Sequence, residues 1–324
     1  RRHRKPDGRQ RRRRRRPKGN AALGTRDHIG NPTRTVDNRC PELGTVETST
    51  RWWMPKGLWA IETCNGNSWD SFKNAMLNRS KADIIIAQET KILSDGSVNP
   101  AQRQARRLGW NPILSRAHRT SMHHGSGGCA TVARAGIVIA PAAQGCIHDD
   151  LQHRLQVTWM AGVCKGGIYM LNVYLKDSEG LSPTNMHILE QAAICLKALK
   201  GPWIAGGDWN LEPQELEAAG WLSMVGGVVH APSQPTCHGR VYDFFVVHKA
   251  ISPAVAGVQR LDDGGLYPHF PTRLLVEGGA LRYMVRRLNK PVKVPGRLPA
   301  GPPSAPPSYN EVFARVDVDP NAAM

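Results

Sequence analysis

The strongest constraint on the fold is the brevity of the apolar runs. ADIIIAQET (82–90), PWIAGGDW (202–209) and VYDFFVVH (241–248) are short and rich in β-branched or aromatic residues. Runs of this kind make strands, whereas an amphipathic helix needs a longer stretch with apolar residues every three or four positions. LWAIETC (58–64), GSGGCATVARAG (125–136), IVIAP (137–141), RLQVTWMAGV (154–163) and GGIYMLNVYL (166–175) supply further strand material. Between them, SWDSFKNAMLNRS (68–80), AQRQARRLGW (101–110) and TNMHILEQAAICLKALK (184–200) carry helical spacing. Strands interleaved with helices predict a layered α/β domain, and the stripe on 184–200 is ordinary core packing.

With 324 residues, 40% of them hydrophobic, the chain can build one large core or two modest ones. No apolar run approaches the roughly 20 residues of a membrane span, and no signal peptide opens the chain, so no membrane partner is expected. The seven cysteines are odd in number and widely spread, with no C-x-x-C pair, which speaks for a reducing compartment and against a zinc ribbon or disulfide scaffold. The domain is expected to be a monomer.

Charge is concentrated at one end. The first 18 residues, RRHRKPDGRQRRRRRRPK, hold 12 Lys and Arg against one Asp, so +11 of the formal +17 lies there. Like charges repel and cannot bury apolar area, so residues 1–50 read as a basic disordered arm and linker. Such an arm suits phosphate backbones or nuclear import, and a nuclear location is the expectation. The chain starts with Arg1 instead of Met, the pattern of a fragment or processed product. Ordered structure is expected over 51–280. Residues 281–324 form a Pro-rich tail whose PPSY (306–309) has the form of a WW-domain ligand, a match that also arises by composition alone.

The polar residues of interest sit at strand ends. They are Asn65 and Asn67, Gln88-Glu89-Thr90, Asn172-Val173-Tyr174, Gly207-Asp208-Trp209-Asn210 and Asp243. Asp208 and Asn210, one residue apart, share a face in extended backbone, although G-D-x-N is equally good turn composition. Strand ends on one edge of a layered α/β fold form the ligand crevice. Carboxylates and amides gathered there suit Mg²⁺ or Mn²⁺ better than zinc.

The order N-x-N, Q-E-T, a Gly-rich strand, N-V-Y, G-D-x-N, D-F-F and a final His motif resembles the endonuclease/exonuclease/phosphatase superfamily over about Trp52 to Val276. Its apurinic/apyrimidinic endonucleases and the endonuclease domains of non-LTR retrotransposons are the nearest in pattern. The resemblance implies a four-layer α/β sandwich of two packed mixed β-sheets flanked by helices. It also implies roles: Glu89 as the principal Mg²⁺ or Mn²⁺ ligand, Asn65 as the amide supporting it, and Asp208 as the group that activates water, with Asn210 holding it and the phosphate. Tyr174 would bond the scissile phosphate, and Asp243 would orient His269. Gly206 and Gly207 would let a bulky anion approach the strand end.

One position departs from that pattern. Where the superfamily closes with S-D-H-x-P, this chain has Tyr267-Pro268-His269-Phe270-Pro271, so a carboxylate gives way to a ring without a ligand atom. Asp262 and Asp263 are the nearby substitutes. His123-His124 makes a poor metal pair, since adjacent loop residues rarely ligate one ion, and Cys237-His238 reads as loop composition. Three functions follow: a metal-dependent endonuclease on DNA, a phosphatase or phosphodiesterase on small or lipid phosphoesters, or a nucleic-acid-binding remnant weakened by Pro268.

Overall fold

A computed structural model describes residues 51–121, 124–142 and 145–278. The chain divides into two units, Arg1–Gly44 and Thr45–Met324, and every described residue lies in the second. The basic arm, the Pro-rich tail with PPSY, and His123 lie outside the described residues.

In chain order the elements are β1 (Leu58–Asn65), α1 (Trp69–Phe72, continued by a π turn to Leu77), β2 (Ile84–Gln88), α2 (Asp95–Arg107) and β3 (Trp110–Leu114). The short β4 (His118–Arg119) and β5 (Gly125–Ser126) follow, then β6 (Ala130–Arg134), β7 (Ile139–Pro141), β8 (Leu155–Gly162), β9 (Cys164–Tyr174) and α3 (Pro183–Ala198). After them come β10 (Trp203–Asp208), α4 (Pro213–Ala218), α5 (Trp221–Val225), β11 (Gly227–His230), β12 (Asp243–His248), β13 (Val255–Arg260) and β14 (Thr272–Glu277).

Two six-stranded sheets result, ordered β13-β14-β1-β2-β6-β3 and β11-β12-β10-β9-β8-β7. Each holds one parallel pair, β1 with β2 and β9 with β10, among antiparallel neighbours, so both are mixed. The period-2 alternation of strand side chains builds the layers. Ile61, Ile84, Ile86, Met170, Ile204, Phe245 and Leu274 point between the sheets. Ile85 and Ala87 face the other way and pack with Phe72, Met76 and Ala105 from the α1 and α2 side. Trp203, Ala205, Phe244 and Val246 pack with Ile188, Leu189 and Leu216 from α3 and α4. Helix, sheet, sheet, helix is the four-layer order.

Local departures from sequence expectation have local causes. α2 begins at Asp95 and carries Pro100 in its interior, whereas proline ordinarily marks a helix start. Trp110 belongs to β3, and its indole donates to the Leu77 carbonyl at 2.9 Å. The stretch 68–80 is one capped α turn and a π turn, not a continuous helix. β14, TRLLVE, escapes pattern reading because Arg273 points inward, where it meets Glu62.

The glycines of β10 serve packing. A Cβ on Gly207 would lie 2.0 Å from the Val173 carbonyl oxygen of β9, and one on Gly206 would lie 2.9 Å from the Phe245 ring. These contacts replace the expectation that an anion approaches there. The sheets are also tied by Asn172, whose Nδ2 donates to the Ala87 and Ala130 carbonyls at 2.9 and 3.2 Å while its Oδ1 accepts from Gln88 Nε2 at 2.9 Å. Asn172→Ala leaves these buried groups short of partners, at about 1–3 kcal/mol each. Urea unfolding is expected to show a lower midpoint with an unchanged slope.

Candidate active site

The strand register brings the polar residues to one edge. β1 ends at Asn65 and β2 runs into Glu89, while Tyr174 and Asp208, at the ends of β9 and β10, are register partners. Asp243 opens β12 directly opposite Asp208, and His269 lies three residues before β14. Asn65, Glu89, Tyr174, Asp208, Asn210 and His269 line one cleft of about 200 Å³. Asp243 is fully buried and reaches the cleft through His269. A larger hollow of about 950 Å³ lies among Leu58, Arg134, Cys164 and Gly278, toward the opposite strand ends, and holds none of these residues.

Asp208, 1% exposed, is held on both oxygens. Asn65 Nδ2 donates to its Oδ2 at 2.9 Å, and the Asn210 backbone N–H donates to its Oδ1 at 3.2 Å. Asn210 takes a left-handed conformation, with φ 45°, and commits its own Nδ2 to the Leu175 carbonyl at 3.0 Å. His269 sets Nδ1 against Asp243 Oδ2 at 2.9 Å and brings Nε2 to 3.8 Å from Asp208 Oδ2. Asp243 is anchored in turn by Thr236 Oγ1, which accepts from its N–H at 2.9 Å, and by Thr272 Oγ1, which donates to its carbonyl at 2.9 Å. The Tyr174 hydroxyl donates to Glu89, and Lys91 Nζ stands 3.1 Å from the other Glu89 oxygen.

These surroundings set the charge states. Burial, reinforced by the charge of Asp243, pushes the Asp208 carboxyl up to about 7, against the pull of His269 and of its two hydrogen bonds. Burial opposes a charged His269, but the charge and hydrogen bond of Asp243, aided by Cys237 and Asp208, hold the ring cationic. Burial and the Glu89 carboxylate raise the Tyr174 phenol, keeping it a donor. A carboxylate poised near neutrality beside a fixed imidazolium is an arrangement for moving one proton next to an anion.

The model of the Endonuclease/Exonuclease/phosphatase family matches residues 74–273, more than half of the chain. The chain belongs to this family. Curated proteins return no match. Among solved structures it is similar to the AP endonuclease LMAP from Leishmania major, at 14% identity over 72% of this chain and 92% of that one, with a TM-score of 0.52. It is also similar to the endonuclease domain of TRAS1, a telomere-specific non-LTR retrotransposon, at 15% identity over 68% and 99%, with a TM-score of 0.51. At these identities the likeness shows the fold, the two-sheet sandwich of the family.

Within that fold, Pro268 lines the cleft at the place where the family pattern puts a carboxylate. Neither nearby acid replaces it. Asp262 is paired with Arg260 at 2.5 Å, and Asp263 lines a different hollow with Glu62 and Arg273. Oxygen donors nonetheless dominate the cleft, through the carboxylates of Glu89, Asp177 and Asp208 and the amides of Asn65 and Asn67. This donor set fits a hard divalent cation held by one or two carboxylates with water completing its shell. The Asn65 Oδ1 accepts from the Asn67 N–H at 2.9 Å, which orients that amide.

Several cleft residues carry no sequence signal. Asp177 arrives on a loop, and the pair Cys237-His238, read as loop composition, also lines the cleft, with Cys237 Sγ 3.5 Å from His269 Nε2. Buried Arg154 stacks on the Tyr174 ring at 4.8 Å, a contact made only because β8 pairs with β9. Lys91 lies one residue past Q-E-T and also donates to Asn67 Oδ1 at 2.9 Å. His124 is exposed on the loop between β4 and β5.

Proposed function

We propose that the chain is a divalent-cation-dependent phosphodiester hydrolase whose substrate is DNA, cut internally. The observation that carries this reading is Asp208, held between Asn65 and Asn210 and 3.8 Å from a His269 that Asp243 keeps cationic. Asp208 would take the proton of the attacking water. His269 would donate to a non-bridging phosphate oxygen as charge grows there, with Asp243 fixing the ring and its charge. Asn210 contributes through its N–H on Asp208, and Tyr174 keeps Glu89 oriented toward the cleft.

Glu89 with Asn65 would hold the cation, Mg²⁺ or Mn²⁺, which when bound supplies Lewis-acid neutralisation of the phosphate. The polyanionic substrate is supported by the 12 cationic residues of the first 18, whose benefit grows with the number of phosphates engaged. Similar structures, an AP endonuclease and a retrotransposon endonuclease domain, support DNA over small esters.

The test uses supercoiled plasmid, an abasic duplex and soluble phosphoesters, each with Mg²⁺ or EDTA. Mg²⁺-dependent nicking by wild type, reduced about 10²-fold or more in Glu89→Gln, is the expected result. Equal DNA binding by both with no cutting would assign the chain to nucleic-acid binding alone. Phosphate release from small esters without nicking would move it to the phosphatases.

A further inference from the structure

Lys91 touches two oxygens of the cleft and has no part in the proposed hydrolysis. Its Nζ stands 3.1 Å from Glu89 Oε2 and donates to Asn67 Oδ1 at 2.9 Å. Both residues line the cleft, and both offer oxygens of the kind a hard divalent cation takes. The other Glu89 oxygen accepts from the Tyr174 hydroxyl. Glu89, the proposed cation ligand, is therefore already paired with a positive charge that the chain itself supplies.

The backbone that presents these atoms is unusual and firmly held. Asn67, Glu89 and Lys91 take φ of 56°, 55° and 53°, in the left-handed region that non-glycine residues seldom adopt. Such conformations persist where the surroundings over-determine them. Here the N–H groups of Thr90 and Lys91 donate to the Gly128 and Gly127 carbonyls at 3.0 and 3.1 Å, and a Cβ on Gly128 would lie 2.7 Å from Thr90 Oγ1. The lysine head is freer than its backbone, since its side chain is 36% exposed against 19% for Glu89. A flexible four-carbon stem at that exposure can carry the ammonium into water without moving the loop.

We propose that Lys91 competes with the divalent cation for Glu89 and Asn67, and so sets the cation affinity of the cleft. Two positive charges on one carboxylate repel, and a divalent ion attracts that carboxylate more strongly than an ammonium does. Cation binding would therefore drive Lys91 off Glu89, and the lost ion pair would weaken the net affinity. The cleft would then fill only at a higher cation concentration than a Glu89 held by Tyr174 alone requires. The proposal rests on the cation reading of Glu89 given above.

The test titrates the full chain with Mn²⁺ in the absence of substrate and follows the free ion by electron paramagnetic resonance. Lys91→Met is expected to bind Mn²⁺ about 10-fold more tightly than wild type. Lys91→Arg, which keeps the charge, is expected to bind it no more tightly than wild type. Thermal unfolding supplies a second readout: at one Mn²⁺ concentration Lys91→Met should gain more in Tm over its value in EDTA than wild type gains, because the gain grows with affinity. Equal or weaker Mn²⁺ binding by Lys91→Met overturns the proposal and leaves Lys91 as a tie between two loops. Glu89→Gln separates that failure from failure of the cation reading. Mn²⁺ binding unchanged in Glu89→Gln removes the cation from Glu89 and both readings with it, whereas binding lost there but not strengthened in Lys91→Met removes the competition alone.

Discussion

Asp208→Asn is expected to lower turnover by about 10²–10⁴-fold while making the protein more stable above pH 7. On the proposed mechanism, the rate loss follows from removing the group that would take the water's proton. In the wild type, kcat/KM should fall about tenfold per pH unit on the acid side of the Asp208 carboxyl, and that limb should vanish in the variant. Stability moves the other way because the folded site raises the carboxyl from its ordinary 3.8 to about 7. Below pH 4 both folded and unfolded chains hold the proton, and Asp208 carries no ionisation penalty. Between about 4 and about 7 the unfolded chain releases it first, so the fold loses ground, and above 7 the loss is complete, on the order of 4 kcal/mol.

Asparagine does not ionise and escapes that loss. It has a cost of its own, since one of the two donors on Asp208, Asn65 Nδ2 or the Asn210 N–H, meets an amide nitrogen instead of an oxygen. That mismatch is worth about 1–3 kcal/mol at every pH. The variant should therefore unfold more readily than wild type at pH 4 and less readily at pH 8. Urea titrations at the two pH values in EDTA check the crossover, and a variant destabilised equally at both would show that Asp208 carries no raised pKa.

The second large effect is on the fold itself. Arg273→Met is expected to destabilise by about 3–5 kcal/mol, a large share of the roughly 5–15 kcal/mol available to a domain. Arg273 and Glu62 are register partners on β14 and β1, joined by Nε and Nη2 on one Glu62 oxygen at 2.9 and 2.6 Å, with Ser80 Oγ donating to the other at 2.6 Å. Glu62 is fully buried, so without Arg273 its carboxylate loses both guanidinium hydrogen bonds and retains that of Ser80. Glu62→Met on top of Arg273→Met should recover most of the loss, because the costly state is the unpaired charge and not the missing bridge. Denaturant midpoints of the two single variants and the double check this; equal loss in all three would assign the effect to packing of Arg273 on the Trp53 ring.

Much of the layering was readable along the chain. IIIA in β2 and WIA in β10 are apolar at every position, which only strands covered on both faces need, and that predicts sheets between layers. The boundaries that misread are those where a partner overrides local preference. Pro100 sits inside α2, and Arg273 lies inward on β14 because Glu62 awaits it. Gly206 and Gly207 announced a special strand, but the reason was the Phe245 ring and the Val173 carbonyl, neither of which the local sequence contains.

The residue types of the candidate site, and their place at strand ends, were set by the sequence alone. Motif order along the chain picked out Asn65, Glu89, Tyr174, Asp208, Asn210, Asp243 and His269, and strand periodicity placed most of them beside one crevice. Tertiary structure alone decided which of them touch and in what charge state. Asp208 and His269 are 61 residues apart, and their 3.8 Å separation depends on β12 pairing with β10 while β14 pairs with β1 in the other sheet. The same convergence brings in Cys237, Arg154 and Asp177, which no motif marked. A pKa responds to burial and to charges a few ångströms away, and both are properties of the packed sheets, whereas motif spacing is a property of the chain.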